Sequence, residues 1–218
     1  MSHSRRRLDM VTRQLRARGI QDARVLAAMA AVPREQFVTR EQNLEAYADQ
    51  PLPIGAGQTI SQPYVVARMA ELAEIRPTDR VLDIGTGSGY QAAVLAKLSH
   101  SVRGVEIRRE LAELARRNLD ELGLEDVAVR VGDGGYGWAE HGPYDAILVA
   151  AAAREVPVPL AAQLADGGRM VIPLGEPRGQ ELVRLIRHGD GFTRASFGPV
   201  RFVAFMGDYG ERLAPSGN

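Results

Sequence analysis

The stretch Val81-Leu-Asp-Ile-Gly-Thr-Gly-Ser-Gly-Tyr90 decides how this chain is read. A short apolar run leads directly into three glycines at alternate positions and then into a helical pattern. Glycine lets backbone approach a ligand closely, and the first turn of a following helix leaves N–H groups free to meet it. The spacing is G-x-G-x-G, whereas the dinucleotide fingerprint G-x-G-x-x-G would place a glycine where Tyr90 stands. Asp83 is a second difference. A buried acid there gains little beside a pyrophosphate but can pair with a cationic ligand. A sharp turn with no ligand is the plainer reading; strand, acid and Gly85, Gly87 and Gly89 together favour a nucleotide-like one.

Working outward, short apolar runs alternate with helical patterns from residue 80 onward. The runs are Val81–Ile84, Val102–Ile107, Val127–Val131, Ala146–Ala150 and Arg169–Pro173, with helices expected around 90–99, 109–122 and 157–164. Buried strands of about five residues separated by helices imply a parallel sheet with right-handed crossovers. Beyond residue 180 helices are absent. Leu182–Ile186 and Val200–Met206, either side of a His188-Gly-Asp-Gly191 turn, suggest an antiparallel hairpin on the sheet edge. Toward the N-terminus, Leu8, Val11 and Leu15 share a helical face that Gly19 ends, and Asp22 is placed to cap a second helix carrying Val25, Leu26 and Met29. The Pro- and Gly-rich segment 51–63 reads as a loop, and Pro63 opens a helix with Val66, Met69 and Ala73 on one side. The fold class expected is therefore α/β: a doubly wound, mostly parallel Rossmann-like sheet with helices on both faces, an N-terminal helical extension and a C-terminal antiparallel edge hairpin.

Two more candidate positions fall at strand ends. Glu106 closes the second run, 21 positions after Gly85, where an acid hydrogen-bonds ribose hydroxyls in sheets of this kind. A surface acid is the equal alternative. Asp133, in Val131-Gly-Asp-Gly-Gly135, closes the third run and is placed to meet a base amino group, although a plain turn explains it as well. Acid-bearing turns after three consecutive parallel strands, where such sheets bind ligands, weigh more together than singly.

Composition removes other chemistries. The 218 residues are 45% hydrophobic and carry 27 basic and 27 acidic side chains, enough to bury a core and with no net field toward nucleic acid or anionic membrane. There is no cysteine, which excludes disulfides, thiolate metal sites and a cysteine nucleophile. Lys97 is the only lysine, so a catalytic lysine is nearly excluded. His3, His100, His141 and His188 stand singly, without metal-ligand spacing. The arginines among residues 5–18 could touch nucleic acid but are read as the solvated face of a helix. The start has basic residues and no apolar stretch after them, and the longest apolar run, Ile147–Ala153, falls far short of the ~20 residues a spanning helix needs. A soluble, cytoplasmic monomer is expected, with no nucleic-acid or membrane partner and no metal.

Asp83-x-Gly-x-Gly-x-Gly, Glu106 and Gly132-Asp133-Gly134 together resemble the S-adenosylmethionine-dependent methyltransferases of the Rossmann-like class. A narrower resemblance lies outside that core. Arg24-Val-Leu-Ala-Ala-Met, Val32-Pro-Arg-Glu-x-Phe-Val38, Ala46-Tyr-x-Asp49, Leu52-Pro-Ile-Gly-x-Gly-Gln-Thr-Ile-Ser-Gln-Pro-Tyr64 and Tyr144-Asp-Ala-Ile-Leu-Val149 are similar to the protein-L-isoaspartate O-methyltransferase family. So are Val156-Pro-x-x-Leu, Gln163-Leu-x-x-Gly-Gly-Arg-Met-Val-Ile-Pro-Leu-Gly175 and Val200-Arg-Phe-Val203. The match runs in order along nearly the whole chain. Ala150, where the family often has Thr, and Ala204, where it commonly has Pro, depart from the pattern.

The resemblance implies that Ser61 is the active-site residue and that Gln58, Thr59 and Ile60 line the shared cofactor and substrate site. It also implies that Glu106 holds the ribose and that Asp133 and Gly134 meet the adenine end. By position alone, a helix cap ahead of Pro63 is the favoured reading of Ser61, which the resemblance reverses. The implied reaction is methyl transfer to the free α-carboxylate of L-isoaspartyl residues in damaged proteins and peptides, which starts their repair through a succinimide. A methyltransferase acting on a small molecule or RNA is the alternative. A nicotinamide oxidoreductase is disfavoured by Tyr90, and a non-catalytic ligand-binding module by Gln58-Thr-Ile-Ser61. One domain over 1–218 is expected, divided into a helical extension with the substrate loop (4–78), a cofactor-binding core (79–180) and a C-terminal hairpin and tail (181–218).

Overall fold

The structure is a computed structural model in which residues 2–211 are described; the tail 212–218 lies outside them. Helix α1 (His3–Asp9) runs on through a wider π-helical turn (Met10–Leu15) and a tighter 3-10 turn (Arg16–Arg18). Gly19 stops it in the left-handed region at φ 95°. The π turn shifts the phase of the buried side. Met10, Val11 and Leu15 are buried, but Leu8 is 57% exposed, so the expected face begins two residues later than its spacing implies. Helix α2 (Ala23–Ala31) is capped as expected, Asp22 accepting from the N–H groups of Arg24 and Val25.

The segment expected as a loop over 51–63 contains a hairpin, β1 (Leu52–Gly55) and β2 (Gln58–Ile60). Ala56 and Gly57 both have positive φ, 52° and 67°, the turn whose twist suits a two-residue hairpin. Leu52 and Ile54 point inward in alternation, a two-residue period masked by the glycines around it. Helix α3 (Pro63–Leu72) starts at the expected proline, with Gln62 at its N-cap and no side-chain bond there. Ser61 therefore does not cap it.

The central sheet follows: β3 (Arg80–Ile84), α4 (Tyr90–Ala96), β4 (Ser101–Glu106), α5 (Arg109–Glu121), β5 (Ala128–Val131), β6 (Tyr144–Val149), α6 (Val158–Ala161), β7 (Leu164–Leu174), β8 (Gln180–His188) and β9 (Gly191–Val200). The strand order is β5-β4-β3-β6-β7-β8-β9. The first five are parallel, and β8 and β9 are antiparallel. The edge hairpin is present, but its second strand is Gly191–Val200, not Val200–Met206. Most of that strand is exposed and lacks an apolar run, so its pattern gives no strand signal. Residues 201–206 instead fold back across the sheet end. There Ala152 donates to the Val203 carbonyl at 2.8 Å and Phe205 donates to that of Ala152 at 2.8 Å.

Side chains of β3 alternate between two cores. Val81 joins the face covered by α1 to α5, while Leu82 and Ile84 join a smaller core under α6 and Phe205. Helices thus cover both faces, unequally. Gly89 shows how tightly the larger face is packed: a Cβ there would stand 3.3 Å from Ala115 Cα of α5, and its φ is 98°. Helix α4 ends at Lys97, which is exposed.

Candidate active site

The carboxyl ends of β3, β4, β5 and β6 meet the β1–β2 hairpin and residues 203–206 around a cleft of about 570 Å³. Gly85 leaves β3 by donating to the Val105 carbonyl at 2.8 Å, and Gly85 and Gly87 take φ values of 77° and 58°. Only glycine adopts these freely, so the turn exposes backbone to the cleft where a side chain would fill it. Glu106 is 5% exposed and lines the cleft. One carboxylate oxygen accepts from Gly87 N–H and the other from Arg108 N–H, each at 2.9 Å. Burial pushes its pKa up and these two donors pull it back. Each oxygen keeps a lone pair for further donors.

Asp83 is fully enclosed one residue behind the part of the turn that lines the cleft. Gln91 donates to its Oδ1 at 2.7 Å, while Oδ2 has no hydrogen-bond partner among the described residues. Burial pushes this carboxyl up to about 7. Asp133 sits behind the cleft wall, its oxygens accepting from Gly135 N–H at 2.8 Å and Asp208 N–H at 2.7 Å. Its neighbour Gly134 lines the cleft, where a Cβ would collide with Ile84 Cγ2. Gln58 and Thr59 reach the cleft from β2, and Ile60 faces a smaller cavity between Ser61 and the glycine turn. Gly89 serves the packing of α4 on α5.

A second, open groove of about 1400 Å³ is walled by Ser61, Gln62, Tyr64 and residues 199–203. The cleft and the groove share Thr59, Ala150 and Val203. The structure therefore places a smaller cleft beside a larger groove, with Ser61 in the wall of the groove. Phe205 and Ile54 also line the cleft. The sequence signals neither: Phe205 falls in the apolar run Val200–Met206 that reads as a strand, and Ile54 falls in the Pro- and Gly-rich segment 51–63 that reads as a loop. Gln180 was missed too: its side-chain amide brackets the backbone of Phe202, accepting at 2.6 Å and donating at 3.2 Å, and so fixes a wall of the groove.

A parallel sheet with a glycine turn after its first strand, an acid after the second and a buried carboxylate behind the turn is the arrangement expected of the S-adenosylmethionine-dependent methyltransferases, the class to which the relatives below belong. S-adenosylmethionine fits, since Glu106 lines the cleft with acceptor capacity for ribose hydroxyls and Gly85, Gly87 and Gly134 bare backbone to it. The chain belongs to the protein-L-isoaspartate(D-aspartate) O-methyltransferase family, whose model matches residues 6–209. A protein-L-isoaspartate O-methyltransferase of Koribacter versatilis is 51% identical, over 94% of this chain and 92% of that protein. One from Methanoculleus marisnigri is 52% identical, over 94% of each. A solved protein-L-isoaspartate O-methyltransferase superposes with a TM-score of 0.84 at 31% identity, covering 93% of this chain and 67% of that one. A Plasmodium falciparum structure described as a family member in complex with S-adenosyl-L-homocysteine gives 0.80 at 27% identity, covering 91% and 97%.

Glu106→Gln is expected to weaken S-adenosylhomocysteine binding about 10-fold, the share of a charge-assisted hydrogen bond of ~1.5 kcal/mol, with little loss of melting temperature. Calorimetric titration checks it, and an unchanged Kd would take Glu106 out of the cofactor site.

Proposed function

We propose that this chain methylates the free α-carboxylate of L-isoaspartyl residues in damaged proteins and peptides, using S-adenosylmethionine, and that Ser61 positions that carboxylate. The observation that carries the reading is the junction of the smaller cleft and the larger groove at Thr59, Ala150 and Val203, with Ser61 beside it. A groove open on one side admits a polypeptide, and the shared wall brings its carboxylate to the mouth of the cofactor cleft.

The chemistry needs few catalytic groups. When bound, S-adenosylmethionine supplies a methyl on a sulfonium; a carboxylate oxygen bonds to that carbon as the carbon–sulfur bond breaks and a neutral thioether leaves. An aspartyl-type carboxyl has a pKa of about 3.9 and is ionised at neutral pH, so no general base is required. Ser61 donates a hydrogen bond to the carboxylate and holds one oxygen in line. Alignment of two bound reactants contributes roughly 7–11 kcal/mol to such a step. Asp83 and Glu106, with Gln58, Thr59, Ile60, Gly85, Gly87, Gly89, Asp133 and Gly134, form the cofactor side of this proposal. The methyl ester then loses methanol to attack by the next backbone amide, giving a succinimide whose hydrolysis returns some normal aspartate.

The proposal treats the chain as one methyltransferase domain that works as a cytoplasmic monomer without nucleic acid, on the strength of its length and zero net charge. No helix among the described residues is long and apolar enough to cross a membrane. The test is methyl transfer from labelled S-adenosylmethionine to an isoaspartyl peptide and to the same peptide with ordinary aspartate. Labelling of the isoaspartyl form alone is expected, and equal labelling of both would refute the substrate assignment.

A further inference from the structure

We infer that Arg34 is a positioning residue that holds the Ser61 segment against the glycine turn of the cofactor site. The inference rests on the role of Ser61 proposed above and extends it to a group that touches neither substrate nor cofactor.

Arg34 lies in a 3-10 turn (Arg34–Phe37) after α2 and is 0% exposed. A buried guanidinium is costly unless its donors are satisfied. All its hydrogen bonds here go to backbone carbonyls: Nε to Ala46 at 2.7 Å, Nη1 to Ser61 at 2.8 Å and Nη2 to Gln50 at 3.2 Å. Among the described residues no carboxylate is hydrogen-bonded to it. Three carbonyls, two from the segment ahead of β1 and one from the Ser61 loop, are thus gathered on one rigid, planar fork. The carbonyl that fixes the near end is that of Ser61 itself.

The other face of the guanidinium lies 5.0 Å from the centre of the Tyr90 ring, within the range of a cation–π contact. Tyr90 is the first residue of α4, directly after the glycine turn, and its ring is buried against Phe37 with centroids 5.6 Å apart. Tyr90 stands where the dinucleotide fingerprint would have glycine. Here that position carries a platform, and Arg34 on the platform reaches across to Ser61. The cofactor turn and the substrate loop, 28 residues apart at Ser61 and Gly89, are joined through two buried side chains. A shift of about 1 Å in such a link can cost about 100-fold in rate.

The experiment pairs Arg34→Lys, which keeps the charge but not the fork, with Ser61→Ala and the double variant. Arg34→Lys is expected to lower kcat/KM for an isoaspartyl peptide about 30-fold while S-adenosylhomocysteine Kd stays within about threefold. In the Ser61→Ala background the same substitution should cost no more than about threefold, because it acts through Ser61. Full additivity, a parallel loss of cofactor affinity, or unchanged kcat/KM would overturn the inference. A Ser61→Ala variant with full turnover would instead sink the reading of Ser61. If the lysine variant does not fold, hydrogen exchange of the native enzyme decides. Residues 58–63 and the first turn of α4 should open as one unit, and independent opening would overturn the link.

Discussion

Asp83→Asn is expected to raise the melting temperature of the ligand-free protein at pH 8 by a few degrees while weakening S-adenosylmethionine binding about 30-fold. Burial lifts this carboxyl from 3.8 to about 7, so its folded-state pKa stands above its unfolded value. Stability from the group is then complete below about 3.8 and is lost as pH rises through about 7. At pH 8 the folded protein holds an ionised carboxylate with one oxygen unpartnered. Asparagine keeps an acceptor for Gln91 and removes that charge, for a net gain of ~1–2 kcal/mol after the amide's own unmet donors are counted. For a chain of this size each kcal/mol is about 2–4 °C. The gain should vanish near pH 4, where the native group is protonated anyway. Binding moves the other way, and S-adenosylmethionine should lose more than S-adenosylhomocysteine because it carries one more positive charge. Calorimetry and thermal melts at the two pH values check both signs. A variant that binds normally and melts unchanged at pH 8 would leave Asp83 with neither role.

Ser61→Ala is expected to lower turnover of an isoaspartyl peptide about 100-fold, the cost of misplacing a reacting group by about 1 Å. The S-adenosylhomocysteine Kd should stay within about twofold. The reason for the split is spatial. Ser61 borders the open groove and its hydroxyl does not cap α3, so removing it disturbs neither the cofactor cleft nor the helix. Its carbonyl, held by Arg34, is retained in the variant. Steady-state kinetics with a melting curve decide the matter. A turnover loss matched by a lower melting temperature would point to a structural defect and not to lost positioning.

What could be read from the sequence was whatever depends on local pattern. The glycine turn, Glu106 and the five parallel strands each write themselves into a few adjacent residues, and the structure has them close to those places, with β7 starting at Leu164, five residues ahead of its apolar run. Asp22 and Pro63 marked helix starts for the same reason. Three features escaped because their cause lies elsewhere in the chain. The π turn at Met10–Leu15 re-phases a helix against its neighbours, which no spacing rule registers, and so the spacing places Leu8 on a buried face that it does not share. Strand β9 pairs only along β8, and its exposed faces carry no hydrophobic alternation. Residues 201–206 look like a strand yet are held by a side chain, Gln180, and by Ala152, contacts distant in sequence. Arg34 was visible inside a motif, but that it gathers three carbonyls could be known only once the chain was folded around it.

The placement of Lys97 has a practical consequence. It is the only side-chain amine in the protein, and it sits exposed at the far end of α4 from the glycine turn, about 10 Å away at 1.5 Å per residue. An amine-directed dye or surface linker would therefore attach its side-chain label at one defined point, a helix length from the glycine turn. Immobilised through that point, the molecules would present a uniform orientation with their openings toward solution. A dye there would report tumbling and docking of substrate without standing in the substrate's path.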